Sequence, residues 1–263
     1  MKLLFFDIDG TLITDDRQVP DSVKPALIRA RENGCQLFLN TGRTCCNMDC
    51  RLEDLPWDGI ITGCGTRVAY RGRTLKAVEF SHAETLEILR IIRGSGIPAI
   101  YECDTAMYFD PAYASVPVVT LFRQFSDNAG ISRNIGEDDP AFRAVKMFVF
   151  SEAEAPVREL LGALKRAGYP YDAIDRGNAG WEMTPADCSK AAGIDLIREA
   201  AGASLADCYA FGDSTNDLAM LTHVPNSVAM GNAPDEVKAA ADYVTDSVDD
   251  DGVVTALRHF GVI

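Results

Sequence analysis

Asp7 and Asp9 stand one residue apart, directly after the apolar run Leu3-Leu4-Phe5-Phe6. An acid at the end of a buried strand is unfavourable unless something offsets its charge. Alternation along an extended chain turns both carboxylates one way and Ile8 the other. Two acids on one side suit a hard cation bound through oxygen. They also suit divided labour, one carboxylate attacking while the other moves a proton. Gly10, next in DIDGT (7–11), permits a sharp turn or a close approach of backbone to a ligand. The ordinary alternative is a strand end capped by a helix N-terminus.

Three further stretches offer complementary chemistry. In Thr41-Gly42-Arg43, a hydroxyl and backbone N–H groups at a helix start can hold a phosphate, although Thr is also a common N-cap. Lys190, in Cys188-Ser189-Lys190-Ala191, opens a helical pattern. A fixed ammonium there can neutralise phosphate oxygens in a transition state, whereas the commonplace reading is a solvated helix lysine. Gly212-Asp213-Ser214-Thr215-Asn216-Asp217 follows the apolar run Cys208–Phe211. Asp213 and Asp217 can face one place from a loop entering a helix. A capping box explains Asp217 but not Asp213.

The elements that position these residues read as strand, helix, strand, helix, strand. Strands are expected at 2–6, 36–39 and 59–62, with a loop at 12–20, a helix ending at Asn33-Gly34, and a helical stretch reaching about Leu52. The same grammar returns with a helix at 187–201, strands at 208–211, 228–230 and 243–245, a helix starting at 218–221, and helices at 234–241 and 253–260. This is the signature of a doubly wound parallel α/β sheet, which binds ligands at the strands' carboxyl ends. The middle differs. Helices at 82–93 and 155–167 alternate with extended pairs, 98–102 with 106–109 and 171–174 with 180–184, plus a strand at 146–150. The expected architecture is a parallel, Rossmann-like core (1–81 and 186–263) carrying an inserted α+β cap (82–185) with antiparallel strands. Glu102, Arg123, Arg176 and Glu182 are candidates for substrate contact in the cap, or equally surface residues.

Composition narrows the function. The chain has 263 residues, 47% of them hydrophobic, enough for a sizeable core. A net charge of −14 opposes the basic footprint of nucleic-acid binding, so no nucleic-acid partner is expected. The N-terminal apolar span is too short for a signal peptide and no run reaches transmembrane length, so a cytoplasmic location without membrane association is expected. Eight cysteines in a chain of this size are expected as reduced thiols. Cys45, Cys46 and Cys50 form no CxxC pair with a nearby His, and read as small packing residues rather than a metal site.

In their order, the four motifs resemble those of the haloacid dehalogenase-like (HAD) superfamily, specifically the Cof-type sugar-phosphatase branch with an α/β cap inserted after the third core strand. DIDGT (7–11), Thr41 within NTGR, Lys190 and GDSTND (212–217) carry the resemblance, and the tail at 227–253 is similar to that branch. One departure follows the third strand, where Gly63-Cys64-Gly65-Thr66 replaces a frequent Asn-Gly-Ala. The resemblance implies a phosphatase acting on small phosphorylated metabolites. Asp7 would be the nucleophile, forming an aspartyl-phosphate, and Asp9 the general acid and base. Mg2+ would be held by Asp7, the Asp9 carbonyl and Asp213, with Asp217 behind them. Gly10, Thr41, Gly42, Lys190 and Asn216 would bind the phosphoryl group, and the cap would close over the site. A phosphomutase or phosphotransferase on the same scaffold is the first rival. A receiver-like phospho-Asp signalling protein is the second, disfavoured by Asp9 and by the cap.

Overall fold

The computed structural model describes residues 1–263 except Asp49 and Glu53, and of Cys50 the backbone alone. Two compact units emerge. The first comprises Met1–Gly42, Asp49–Ala77 and Ser189–Ile263, the second Arg43–Met48 and Val78–Cys188.

The first unit begins with β1 (Leu3–Phe6), whose four residues are all buried. The helix α1 (Val23–Glu32) leads to β2 (Gln36–Asn40), and then β3 (Gly59–Thr62) follows. Two strands unread in the sequence come next, β4 (Arg67–Tyr70) and β5 (Arg73–Ala77). They form a hairpin through Arg71 and Gly72, both at positive φ (48° and 75°), a two-residue turn matched to strand twist. Arg73 and Thr74 on β5 are exposed, and such polar edge positions carry little apolar alternation to read.

The second unit holds α2 (His82–Ser95), β6 (Ala99–Glu102), β7 (Met107–Phe109), α3 (Pro117–Asn128), β8 (Ser132–Asn134), β9 (Lys146–Phe150), α4 (Glu154–Arg166), β10 (Tyr171–Asp175) and β11 (Gly180–Pro185). Its six strands run in the order β10-β11-β9-β6-β7-β8. All neighbours are antiparallel except β7 and β8, which are parallel because α3 carries the chain between them. Ile88, Leu89 and Ile92 of α2 and Leu160 and Leu164 of α4 pack on Tyr101, Met147, Val149 and Met183. Ile100, Phe109 and Phe150 form a second cluster with Val119 of α3.

The chain then completes the first unit with α5 (Lys190–Ala201), β12 (Cys208–Gly212), α6 (Leu218–Leu221), β13 (Asn226–Ala229), α7 (Asp235–Ala240), β14 (Tyr243–Val244) and α8 (Gly252–His259). The sheet order is β14-β13-β12-β1-β2-β3-β4-β5. It is parallel from β14 through β3, and antiparallel only at the β3-β4 and β4-β5 pairs. Leu3, Phe5, Phe38, Ile61 and Ala210 meet Ile194 and Ile197 of α5 and Met220 and Leu221 of α6 on one face. Alternation sends Leu4 and Phe6 to the other. There Phe6 stacks on Phe211 at 4.5 Å, and α1 packs on β2 and α8. Each such fully buried side chain contributes about 1.5–3 kcal/mol. The order places the carboxyl ends of β1, β2, β3 and β12 along one sheet edge.

The helical stretch expected up to Leu52 is not an α-helix in its described part. Cys45–Asn47 and Cys50–Leu52 are single 3-10 turns, and residue 49 lies outside the described residues. Met48 at ψ 147° interrupts any helical course. The seven cysteines whose side chains are described form no disulfide with one another. Among the described residues no helix is long and apolar enough to cross a membrane.

Candidate active site

Strand β1 stops at Phe6, but the Asp7 amide continues the ladder to the Phe211 carbonyl at 2.9 Å. This anchors Asp7 at the sheet edge with its side chain buried. The chain then turns sharply, the amides of Leu12 and Ile13 both donating to the Ile8 carbonyl at 2.9 Å. Asp9 lies beyond the strand and is exposed, so the two acids stand in different environments.

Asp7 is met by Lys190, the first residue of α5. Its Nζ donates to Asp7 Oδ1 at 2.6 Å and to Asp217 Oδ1 at 2.5 Å. Ser189 caps that helix, its hydroxyl accepting from the Ala192 amide at 3.0 Å. Lys190 is 1% exposed, which removes the solvated-lysine alternative. Asp217 has a structural task as well. Its Oδ2 accepts from the amides of Asp213 (2.9 Å) and Ser214 (3.0 Å), so the capping-box alternative is realised.

Asp213, at the end of β12, accepts from the Thr11 hydroxyl at 3.0 Å. Oxygens of Asp7, Asp213 and Asp217 lie within 4.8 Å of one another. Gly10, at φ 77°, runs so close that a Cβ there would lie 2.3 Å from Asp213 Oδ2. Glycine is therefore required at this position twice over, by conformation and by space. Asn216 is buried, its Oδ1 accepting from the Ser214 hydroxyl at 2.9 Å.

Thr41, 1% exposed, follows β2, the neighbour of β1. Its amide donates to Ile61 O at 2.9 Å. No helix starts at Thr41 or Gly42; the following 3-10 turn is preceded by Thr44, in extended conformation. The helix start expected there is therefore absent, and Thr41 stands just after the end of β2.

The electrostatics follow from three carboxylates sharing one ammonium. Burial, then the Asp217 charge, pushes the Asp7 carboxyl up to about 7, with Lys190 pulling the other way. Burial and the charges of Asp7 and Asp217 push Asp213 up to about 8, against the Thr11 hydrogen bond. Burial disfavours the Lys190 charge, but Asp217 and Asp7 outweigh it and raise its pKa above the ordinary value. The excess negative charge and all-oxygen donor set fit a hard divalent cation.

Sequence reasoning passed over two supporting residues. Asn232 donates through Nδ2 to Gly10 O at 2.9 Å and accepts from the Val248 amide at 3.0 Å, tying the C-terminal tail to the DIDGT turn. Asn40 donates to the Lys190 carbonyl at 3.1 Å. Both lie in quoted motif stretches, but type and spacing alone gave them no partner. In the second unit, Glu102 and Glu182 are buried against Lys146 at 2.9 and 2.8 Å. Arg176 lies 3.7 Å from Glu182, and Arg123 pairs with Asn134 and Asp127.

The sequence profile of the haloacid dehalogenase-like hydrolases matches residues 4–257. The chain belongs to that family. Its branch is the Cof-type one, and its activity class is that of a HAD phosphatase. The chain is 27% identical to the putative phosphatase YkrA of Bacillus subtilis, the match covering 100% of this chain and 98% of the relative. It is 29% identical to the HMP-PP phosphatase of Escherichia coli, over 90% of this chain and 87% of that one. Among solved structures, the HAD subclass IIB sugar phosphatase BT4131 superposes with a TM-score of 0.82, at 29% identity and full coverage of both chains.

Proposed function

We propose that this HAD hydrolase is a Mg2+-dependent phosphatase that cleaves small phosphorylated metabolites through an aspartyl-phosphate on Asp7. The observation that carries the reading is the buried Asp7 carboxylate, held by Lys190 at 2.6 Å beside Asp213. A carboxylate whose charge is opposed by burial and neighbouring acids is a poor surface residue and a well-placed nucleophile. Relatives named as sugar and HMP-PP phosphatases support the small-molecule substrate class.

An Asp7 carboxylate oxygen attacks phosphorus, the bond from phosphorus to the leaving oxygen breaks, and Asp9 gives that oxygen a proton. In the second half Asp9 takes a proton from water, whose oxygen attacks the phosphorus and frees inorganic phosphate and Asp7. The exposure of Asp9 suits a group that exchanges protons with both the leaving group and water. Lys190, Thr41, Gly10, Gly42 and Asn216 hold the phosphoryl oxygens and offset repulsion between substrate dianion and Asp7. Asp7, Asp213 and the Asp9 carbonyl would hold Mg2+, with Asp217 behind them. The ion supplies charge neutralisation at the phosphoryl oxygens.

The test is inorganic phosphate release from a panel of phosphomonoesters, with MgCl2 and with EDTA. Release from small phosphorylated metabolites that requires Mg2+ and vanishes in Asp7→Asn supports the reading. Full activity in EDTA or in the Asn variant overturns it, and isomer formation without phosphate release points to a mutase.

A further inference from the structure

Asn40 is 0% exposed and half satisfied. Its Nδ2 donates to the Lys190 carbonyl at 3.1 Å and contacts Met220 Sδ at 3.4 Å. Its Oδ1 finds no donor among the described residues. A buried acceptor without a donor lowers stability, and a leucine of similar volume would leave no such orphan. Stability therefore gives no reason for Asn here, whereas its contact does. The residue beside Thr41 grips the backbone of Lys190, across 150 positions of chain.

A second link joins the same two places. After β3, Gly63, Cys64 and Gly65 take successive positive φ values of 57°, 52° and 90°. Cys64 is the strained member, since a cysteine lacks the short polar side chain that lets Asn adopt this region. The turn's contacts explain why it is held there. The Cys64 amide donates to the Thr41 carbonyl at 3.0 Å. Gly65 runs so close to Ser189 that a Cβ would lie 2.4 Å from the Ser189 carbonyl oxygen. One side of the turn grips Thr41, and the other rests on the cap residue of the Lys190 helix.

We propose that Asn40 and the Gly63-Cys64-Gly65 turn form a brace that fixes Lys190 relative to Thr41, making Asn40 a positioning residue for phosphoryl binding. The inference rests on the reading that Thr41 and Lys190 hold the phosphoryl group. A brace is worth building because a misplacement of about 1 Å in a catalytic constellation can lower rate about 100-fold. The Lys190 side chain is long, so the backbone at its root sets where the ammonium can reach.

The experiment compares wild type, Asn40→Leu, Cys64→Val, Cys64→Asn and Thr41→Ala. The readouts are thermal midpoint, kcat and KM for p-nitrophenyl phosphate, and inhibition by inorganic phosphate. Asn40→Leu is expected to melt within a few degrees of wild type while phosphate inhibition and kcat/KM weaken roughly 10- to 100-fold. Cys64→Val, whose branched side chain resists the left-handed backbone, is expected to weaken phosphate inhibition, and Cys64→Asn to retain it. Wild-type kinetics in Asn40→Leu overturns the brace, as does a loss of activity no greater than its loss of folded protein. If Asn40→Leu does not fold, the two Cys64 variants decide, and equal phosphate inhibition in both overturns the proposal. Thr41→Ala separates the two readings. Unchanged phosphate inhibition there removes the phosphate site and the brace together, whereas weakened inhibition there with none in Asn40→Leu removes only the brace.

Discussion

Lys190 Nζ sits 2.6 Å from Asp7 Oδ1, joining residues 183 positions apart in the chain. The ammonium is not a mobile counterion. Asp217 holds its other side at 2.5 Å, and Asp217 is itself pinned by the Asp213 and Ser214 amides. Two acids thus divide one cation, one buttressed by backbone and the other standing at the strand end. In the proposed reaction, that asymmetry leaves Asp7 as the acid that reacts while Asp217 keeps the ammonium in place.

Replacing Asp7 by Asn separates chemistry from folding. Turnover is expected to fall by at least about a thousandfold, because an amide is a poor nucleophile toward phosphorus. The metal-free variant is expected to melt higher than wild type at pH 8, by about 2–5 °C, since a disfavoured buried charge is gone. Phosphate-release assays and thermal melts in EDTA check both. A lower midpoint in the variant would contradict the charge-crowding account.

The same crowding fixes the sign of the pH dependence. Folding raises the Asp7 carboxyl from 3.8 to about 7 and Asp213 from 3.8 to about 8. The folded state therefore binds more protons than the unfolded state across this window. The stability contributed by these neutral acids is complete below pH 3.8 and is lost as pH rises toward about 8. Mg2+ favours the ionised acids, so its stabilisation should be larger at pH 8 than at pH 6. Thermal midpoints at both pH values, with MgCl2 and with EDTA, read this directly. An Mg2+ shift that shrinks as pH rises would be wrong in sign.

The strand ends were legible because buried parallel strands are short apolar runs, and β1, β2 and β12 each stop just before a chemistry-bearing residue. Asp7, Asp213 and Asp217 could be listed from such stops and Lys190 from a helix start, but their distances could not. The hairpin β4-β5 was illegible because Arg67, Arg73 and Lys76 interrupt its apolar pattern. The 43–52 stretch was misread because helix-compatible residue types say little where no apolar periodicity supports them. Asn40 and Asn232 escaped because each acts through a single side-chain amide on a distant backbone carbonyl. No local spacing rule encodes such a contact.

Gly10→Ala tests how tightly the DIDGT turn lies on Asp213. The added methyl would meet the Asp213 carboxylate at 2.3 Å, and alanine resists φ 77°. Destabilisation of about 1–3 kcal/mol is expected from the backbone strain. Displacing Asp213 should also weaken Mg2+ activation by about tenfold or more, as for disrupted supporting contacts at a metal site. Denaturant unfolding and an Mg2+ titration of activity check the two effects. Strain without a change in Mg2+ dependence would remove Asp213 from the cation site.

Lys146→Met tests a charge cluster that the proposed chemistry does not use. Lys146 is 4% exposed and pairs with Glu102 at 2.9 Å and Glu182 at 2.8 Å. Glu102 also accepts from the Thr44 hydroxyl at 3.3 Å, which ties the 43–48 segment to the second unit's sheet. Methionine keeps the apolar stem and deletes the charge, leaving two buried carboxylates side by side. Breaking a buried pair in this way costs about 3–5 kcal/mol. The checking measurement is urea unfolding of wild type and variant. A deficit below about 1 kcal/mol would show that the Lys146 ammonium does not hold the two glutamates together.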